Sequence, residues 1–355
     1  MKGKCLLKKR ILSLFVALSL ALPLLLQGCS QAPTLKVGMV TSYGVLEDKS
    51  FNQATWEGLS RAGRDFSIDI RHFKPDTADT DGYLAGIDSL RAEGYSAIVT
   101  TGSDFKDALS IAEQKYKDLK LISVDYADDF PGENTAAILF AEEQAGFLAG
   151  VAGALTLKEG SVGGVFGMES PPVQRFNWGF QQGIRYCNEN FATRIQMDAE
   201  NFIYSGSFTD TDLAGELADE MYDRGVSIIF AVAGGAGDGV IQAAKRRRLA
   251  GEDVWVIGVD VDQYEQGVYD NEHSVVLTSA MKRLDLAVYE VIAAEQRGEF
   301  PGGQILYYDA EKGGIGLPEI NPNLPDDVCK TTDALLAMIE SGEIVVEAEQ
   351  GDLIP

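Results

Sequence analysis

Short strand-like runs alternate with helix-length segments along most of the chain, and the whole alternation occurs twice. The first series of runs lies at 35–40, 67–73, 95–102, 120–125 and 134–140. The second series lies at 161–167, 200–206, 226–234, 254–260 and 274–280. Strands separated by helices indicate βαβ units, whose parallel sheets are covered on both faces. The pattern therefore predicts an α/β fold with two similar parallel-sheet domains side by side.

The two series are also similar in sequence, since IVTTGSDFKDALSIAE corresponds to IFAVAGGAGDGVIQAAK, and LISVDYADDF corresponds to VIGVDVDQY. Ligands of open α/β sheets bind outside the carboxyl ends of the strands. With two domains the ligand would lie between two such edges, so the residues that follow the strands are the candidates. From the two series these are Asp48, Phe51, Asn52, Ser103, Asp125, Phe176, Phe208, Gly234, Gly235 and Asp260.

These candidates combine aromatic rings with hydrogen-bond acceptors, and no nucleophile and base are evidently paired among them. Rings on opposed edges can hold a flat or sugar-like ligand, while carboxylates accept hydrogen bonds from its hydroxyls. Each residue also has a structural interpretation: an Asp after a strand is often a helix cap, and a lone Phe often packs in a core. The run GGAGDG (234–239) lacks the spacing of a phosphate loop, and a close backbone approach explains its glycines.

The N-terminus has the pattern of a secretory signal. Residues 1–28 carry five basic residues and no acid, followed by the apolar run ILSLFVALSLALPLLL. The alternative is a membrane anchor, but the run is shorter than the ~20 apolar residues that a bilayer core needs. The ending Leu-Gln-Gly-Cys resembles a bacterial lipobox, so we expect lipidation at Cys29, with residues 29–35 as a tether.

The mature chain is expected to be strongly acidic. Removing 28 residues and five positive charges from a chain of 355 residues and net charge −24 leaves 327 residues at −29. Nucleic-acid binding requires a basic footprint, so this class of partner is excluded; a solvated acidic surface is the simplest interpretation. Cys187 and Cys329 show no metal-binding spacing, and whether they form a disulfide stays open. Only two His occur and no hydrolase motif is present, so neither a metal nor a cofactor is expected.

An ordered set of motifs carries a resemblance to a known family. DKSFNQATWEG, GMESPPVQRFNWGFQQG, YSGSFTD, AGGAGDGV, IGVDVDQY and LTSAMKRLD, spread between about Lys36 and Gly316, resemble the basic membrane protein family, which includes purine nucleoside receptor lipoproteins. The resemblance implies a lipid-anchored substrate-binding component of an ABC importer with a type I periplasmic-binding-protein fold. The single Gly44 in SYGVLED departs from the glycine-rich turn that the family commonly has before Asp48.

The resemblance also implies roles for individual residues. The rings of Phe51 and Phe208 would stack on the two faces of a purine, with Phe176 near the rim. The polar groups of Asp48, Asn52 and Asp125 would read base edges, while Asp260 and Lys282 would hold ribose hydroxyls. Gly235 is a candidate for a separate reason: its place in the glycine-rich run after a strand predicts a close backbone approach.

The resemblance therefore implies a binding protein for purine nucleosides (guanosine, adenosine or inosine) that serves an ABC permease and ATPase, and not an enzyme. The expected domains are 36–142 plus 275–308 and 143–274 plus 309–355, joined by a hinge. Acids at Asp125, Asp128, Asp129 and Glu133 would repel anionic nucleotides. Two alternatives stay open: a sensory lipoprotein that binds another sugar-containing molecule, and a nucleoside hydrolase or phosphorylase, which would need a metal or phosphate site.

Overall fold

Two six-stranded sheets follow one another among residues 35–42 and 44–349, which the computed structural model describes. The predicted signal peptide and Cys29 lie outside these residues. The strands are β1 (Lys36–Val40), β2 (Asp69–Phe73), β3 (Ala97–Thr101), β4 (Lys120–Val124), β5 (Thr135–Phe140), β6 (Glu159–Phe166), β7 (Arg194–Tyr204), β8 (Val226–Val232), β9 (Trp255–Asp260), β10 (Val276–Lys282), β11 (Gln304–Tyr308) and β12 (Ile315–Gly316). In the part of the chain described, no helix is both long enough and apolar enough to cross a bilayer.

The helices fill the connections between the strands, as βαβ units require. They are α1 (Phe51–Phe66), α2 (Thr80–Ala92), α3 (Lys106–Lys115), α4 (Glu142–Leu157), α5 (Pro171–Asn190), α6 (Thr211–Asp223), α7 (Gly237–Leu249), α8 (Leu284–Gln296) and α9 (Asp326–Glu340). Short 3-10 helices occupy Ser103–Phe105, Gly234–Ala236 and Glu265–Gly267.

The two sheets have the same strand order apart from their last edge strand. The first sheet runs β11-β5-β4-β3-β1-β2 and the second runs β12-β10-β9-β8-β6-β7. All pairs are parallel except β10 with β12. The predicted α/β class with two doubly wound parallel sheets is confirmed, and each of the ten predicted strands is present. We call the first sheet with α1–α3 and α8 the first lobe, and the second sheet with α4–α7 and α9 the second lobe.

The chain passes between the sheets after β5, after β10 and after β11. The expected first domain began its second segment at residue 275, but β10 pairs with β9 in the second sheet, with Ala280 beside Val259. The chain therefore returns to the first lobe only after Lys282. There α8 packs so closely on α1 that a side chain at Gly58 would lie 2.5 Å from the Asp285 carbonyl oxygen. The other domain boundaries stay a prediction.

Helices α4 and α5 pack with their backbones in contact. A Cβ at Gly146 would lie 2.3 Å from the Phe176 carbonyl oxygen, and one at Gly183 would lie 2.1 Å from the Phe147 carbonyl oxygen. Glycine allows this approach because it has no side chain to separate the helices. The contact fixes α4, which begins directly after the first crossing between the sheets, to the second lobe.

Cys187 and Cys329 are both free thiols. Cys187 lies buried on α5, and burial raises its pKa to about 12. The disulfide that the sequence left open is absent from the structure.

Candidate functional site

The candidate site lies where the carboxyl ends of the two sheets face each other, and the ammonium of Lys282 is at its centre. This side chain ends β10 and is only 2% exposed. Its Nζ lies 2.5 Å from Asp125 Oδ2, 3.4 Å from Glu142 Oε1 and 4.0 Å from Asp260 Oδ1. Asp125 follows β4 of the first sheet, whereas Asp260 ends β9 of the second. The ammonium therefore links acids from both sheets.

Asp125 and Asp260 occupy equivalent positions in the two lobes and share an uncommon backbone conformation. Their φ angles are 61° and 66°, in the left-handed region that residues other than glycine rarely adopt. Such a conformation costs on the order of 1–3 kcal/mol and is concentrated at functional sites. The same turn at both strand ends directs both carboxylates toward Lys282.

Three aromatic rings surround the same ammonium. The ring centroids of Phe51, Phe140 and Phe176 lie 4.8, 5.4 and 5.7 Å from Lys282 Nζ, within the range of cation–π attraction. Phe176 was expected near the rim of a ligand site, but it is 2% exposed and its ring meets the ring of Phe230 edge-on at 6.1 Å. Phe176 therefore packs in the second lobe and forms a wall beside Lys282.

Glu142 and Arg175 complete the cluster, and neither was among the residues predicted from the sequence. Glu142 is fully buried at the start of α4 and accepts a 2.7 Å hydrogen bond from Arg175 Nε. The rule that selected the other candidates could have found Glu142, because it follows β5 at the same edge. Arg175 precedes Phe176 within a motif already singled out. The cluster of Asp125, Glu142, Asp260, Arg175 and Lys282 has three carboxylates and two cations.

Burial shapes the protonation of these groups. It raises the pKa of Asp125 and Asp260, against the opposing attraction of Lys282. For Lys282 burial acts in the lowering direction, but the surrounding carboxylates outweigh it and raise the pKa of the ammonium. Burial also raises the pKa of the neighbouring Glu143 to about 7. Lys282 therefore remains a cation near neutral pH.

Asp48 and Asn52 lie at the start of α1, and both have local partners. The Asp48 carboxylate accepts backbone N–H bonds from Ser50 (2.9 Å), Asn52 (2.9 Å) and Gln53 (3.1 Å), which makes it a helix-capping group. Burial raises its pKa to about 6, against these hydrogen bonds. The Asn52 side-chain oxygen accepts a 3.1 Å bond from Thr101 Oγ1. Both side chains thus shape the loop that carries Phe51.

Phe208 and Gly235 lie at the facing edge of the second lobe. A Cβ at Gly167 would lie 2.2 Å from the Phe208 ring, so the ring covers that glycine. A Cβ at Gly235 would lie 3.6 Å from Asp48 Cβ of the first lobe. Gly235 thus lies beside Asp48 of the first lobe at ordinary van der Waals distance, and its role in a close backbone approach stays a prediction.

The cluster can bind a polar molecule, and one of its acceptors is unused. Asp125 Oδ1 is buried and has no hydrogen-bond partner among residues 35–42 and 44–349. A buried carboxylate oxygen without a donor is costly, so a ligand that supplies an N–H or O–H would stabilise it. Over the same described ranges, no three His, Cys, Asp or Glu side chains are arranged to hold a metal ion.

Two similar parallel sheets with a polar cluster between their carboxyl ends form a two-lobed fold in which a small molecule can bind between the lobes. Residues 35–350 match the Bmp family, described as ABC transporter substrate-binding protein PnrA-like. The chain belongs to this family, which confirms the resemblance inferred from the motifs. It is thus a substrate-binding protein of an ABC transporter and not an enzyme.

Curated relatives cover nearly the whole chain. It is 32% identical to the CD4+ T-cell-stimulating antigen of Listeria monocytogenes, over 96% of this chain and 99% of the relative. It is 29% identical to the ABC transporter nucleoside-binding protein BmpA of Lactococcus lactis, over 96% of this chain and the full length of the relative. The fold is similar to an ABC transporter solute-binding protein from Aeropyrum pernix, with a TM-score of 0.78, 24% identity, and coverage of 90% of this chain and 94% of that one.

Proposed function

We propose that the protein captures neutral purine nucleosides between its two lobes and delivers them to an ABC permease and its ATPase. The lipid on Cys29 would anchor it to the cell membrane, facing the periplasm or the exterior. The observation that carries the proposal is the convergence of Asp125 and Asp260 from opposite sheets, beside a free acceptor oxygen. The relative from Lactococcus lactis is named a nucleoside-binding protein, which supports the ligand class.

The proposed binding mode uses both lobe edges. Phe51 of the first lobe and Phe208 of the second stack on the two faces of the base, since base stacking on an aromatic ring is worth ~1–3 kcal/mol. Asp125 accepts a hydrogen bond from the base through its free oxygen, and Asp260 and Lys282 bind ribose hydroxyls. Asp48 and Asn52 contribute further contacts to the base from the loop that they shape, and Phe176 forms the wall behind them.

The charge of the site favours a neutral ligand. The two cations, Lys282 and Arg175, are already paired with carboxylates, and exposed acids at Asp128, Asp129 and Glu133 follow β4. A phosphate within ~4 Å of one such acid would meet a repulsion of about 4 kcal/mol at an effective dielectric of ~20. Nucleosides should therefore bind and their 5′-monophosphates should bind far more weakly.

The experiment starts with the ligand that the protein itself retains. The mature chain with Cys29→Ser is purified without added nucleoside and denatured, and the released small molecules are identified by mass spectrometry. A purine nucleoside at near-stoichiometric amount is the expected result. A sugar or another small molecule in its place would point to the sensory alternative and would contradict the proposal.

A further inference from the structure

A buried amide of the second lobe contacts the backbone of the first. Gln263 lies in the loop after β9 and is 4% exposed. Its Oε1 accepts a 3.1 Å hydrogen bond from the Val259 N–H, and its Nε2 donates a 3.1 Å bond to the Lys49 carbonyl. A backbone N–H can bond only to the amide oxygen, so the amide must present its NH2 group to Lys49.

The position of this amide is fixed by its own lobe. The Gln263 backbone N–H donates to Ser279 Oγ at 3.1 Å. A Cβ at Gly258 would lie 2.5 Å from Gln263 Oε1 and 2.7 Å from Ser279 Oγ, so glycine at 258 leaves the space that the amide occupies. Contacts within the second lobe therefore fix the position of the Gln263 amide that donates to Lys49.

The acceptor on the first lobe is equally specific. Lys49 has a φ of 55°, a left-handed conformation that turns its carbonyl toward the second lobe. The residue stands between Asp48, which caps α1, and Ser50, whose hydroxyl donates to Asp260 Oδ2 across the cleft. Phe51 begins α1 two residues later. The contact thus acts on the loop that carries two of the proposed ligand-binding residues.

We propose that Gln263 is a positioning residue of the closed cleft: its amide binds the Lys49 carbonyl only when the lobes are together, and so places the Asp48–Phe51 loop over the site. The contact requires no ligand, so it stabilises the closed form in the free protein. The effect of this contact on ligand affinity rests on the proposed function, whereas its effect on the closure of the two lobes does not.

Gln263→Glu keeps one of the two hydrogen bonds of this side chain and removes the other. A carboxylate keeps the acceptor for the Val259 N–H but has no donor for the Lys49 carbonyl. Spin labels at positions 107 and 212, exposed residues near the starts of α3 and α6, report the distance between the lobes by double electron–electron resonance. The labels are placed in the soluble chain with Cys29 and Cys329 replaced by Ser. In the free protein we expect the closed-to-open ratio to fall about two- to tenfold, the effect of one hydrogen bond of ordinary net strength.

Gln266→Glu is the matched control, because it adds the same charge three residues away in the short 3-10 helix. It should leave the distance distribution as in the parent chain. An equal shift in both variants would assign the effect to charge and overturn the proposal. Gln263→Met removes the donor without adding charge and should reproduce the shift; a parental distribution in this variant would also overturn it.

Lys49→Pro tests the contact from the other lobe. Proline cannot adopt a φ of 55°, so Lys49→Pro turns the carbonyl away from Gln263. Because this variant leaves Gln263 unchanged, it tests the contact even if the Gln263 variants fail to fold. It should open the cleft as they do, and a closed-to-open ratio equal to the parent's would refute the role of the contact. If the parent binds purine nucleosides, Gln263→Glu should also raise their dissociation rate while the association rate changes little. If the parent binds none, the proposed function fails and the distance measurement still decides the role of Gln263.

Discussion

Replacing Lys282 with methionine removes the ammonium from the cluster while it keeps a side chain of similar length. Asp125, Asp260 and Glu142 then remain buried around an apolar group. Breaking a buried ion pair by removal of one partner typically costs about 3–5 kcal/mol, because the remaining charge is left without compensation. We expect a loss of stability in this range at pH 8.

The loss should depend on pH in a definite direction. Burial already raises the pKa of Asp125 to about 6, against the lowering effect of Lys282, and removal of the cation raises it further. A carboxyl whose pKa is higher in the folded state stabilises the fold at low pH and loses this contribution as the pH rises through the folded pKa. Each further unit of pKa is worth about 1.4 kcal/mol. The penalty of Lys282→Met should therefore be smaller at pH 5 than at pH 8, by about 1.4 kcal/mol for each unit by which the pKa of Asp125 rises further.

Urea unfolding at pH 8 and pH 5, followed by circular dichroism, measures both values. Lys49→Met is the matched control, since Lys49 is half exposed and its Nζ lies 3.8 Å from Asp238. Exposed pairs are worth less than about 1 kcal/mol, so this variant should lose little stability at either pH. A penalty for Lys282→Met that equals the control, or that grows as the pH falls, would refute this account of the cluster.

Three further predictions concern the ligand and the anchor. Phe51→Ala and Phe208→Ala should each weaken nucleoside binding by about 1–3 kcal/mol. A dissociation constant, measured by calorimetry, within twofold of the parent's would show that the substituted ring does not stack on the ligand. Cys29→Ser should give a soluble, ligand-competent protein, and detergent-phase partitioning equal to the parent's would contradict the lipid anchor. Nucleosides should shift the lobes toward the closed form, so small-angle scattering should show a smaller radius of gyration with guanosine, adenosine or inosine than without, and unchanged values would count against a two-lobed trap.

The sheets were predictable because their signal is local. Strands that are buried on both faces read as apolar runs, and each of the ten runs found in the sequence forms a strand. β11 was missed because QILYY is half exposed at the sheet edge and pairs with β5, far away in the sequence. The placement of β10 was wrong for a similar reason: its apolar sequence fits either sheet, and only the pairing with β9 decides between them.

The sequence predicts that the candidate site lies at the carboxyl ends of the strands, but it does not predict which side chains contact one another there. Asp125 and Asp260 were found because they follow equivalent strands, and the motif resemblance added Lys282. The sequence could not show that Phe176 is buried against Phe230, since that depends on the packing of α5 on the sheet. Gln263 was missed because its partner, the Lys49 carbonyl, lies 214 residues away and has no side-chain signal.

The most direct test of the nucleoside proposal is a calorimetric titration of the refolded, ligand-free mature chain with guanosine, adenosine and inosine, and with the matching 5′-monophosphates. The account predicts saturable binding of at least one nucleoside and much weaker binding of its monophosphate. Equal affinity for a nucleoside and its monophosphate would contradict the charge argument. Failure of all three nucleosides to bind a correctly refolded chain would contradict the proposed function.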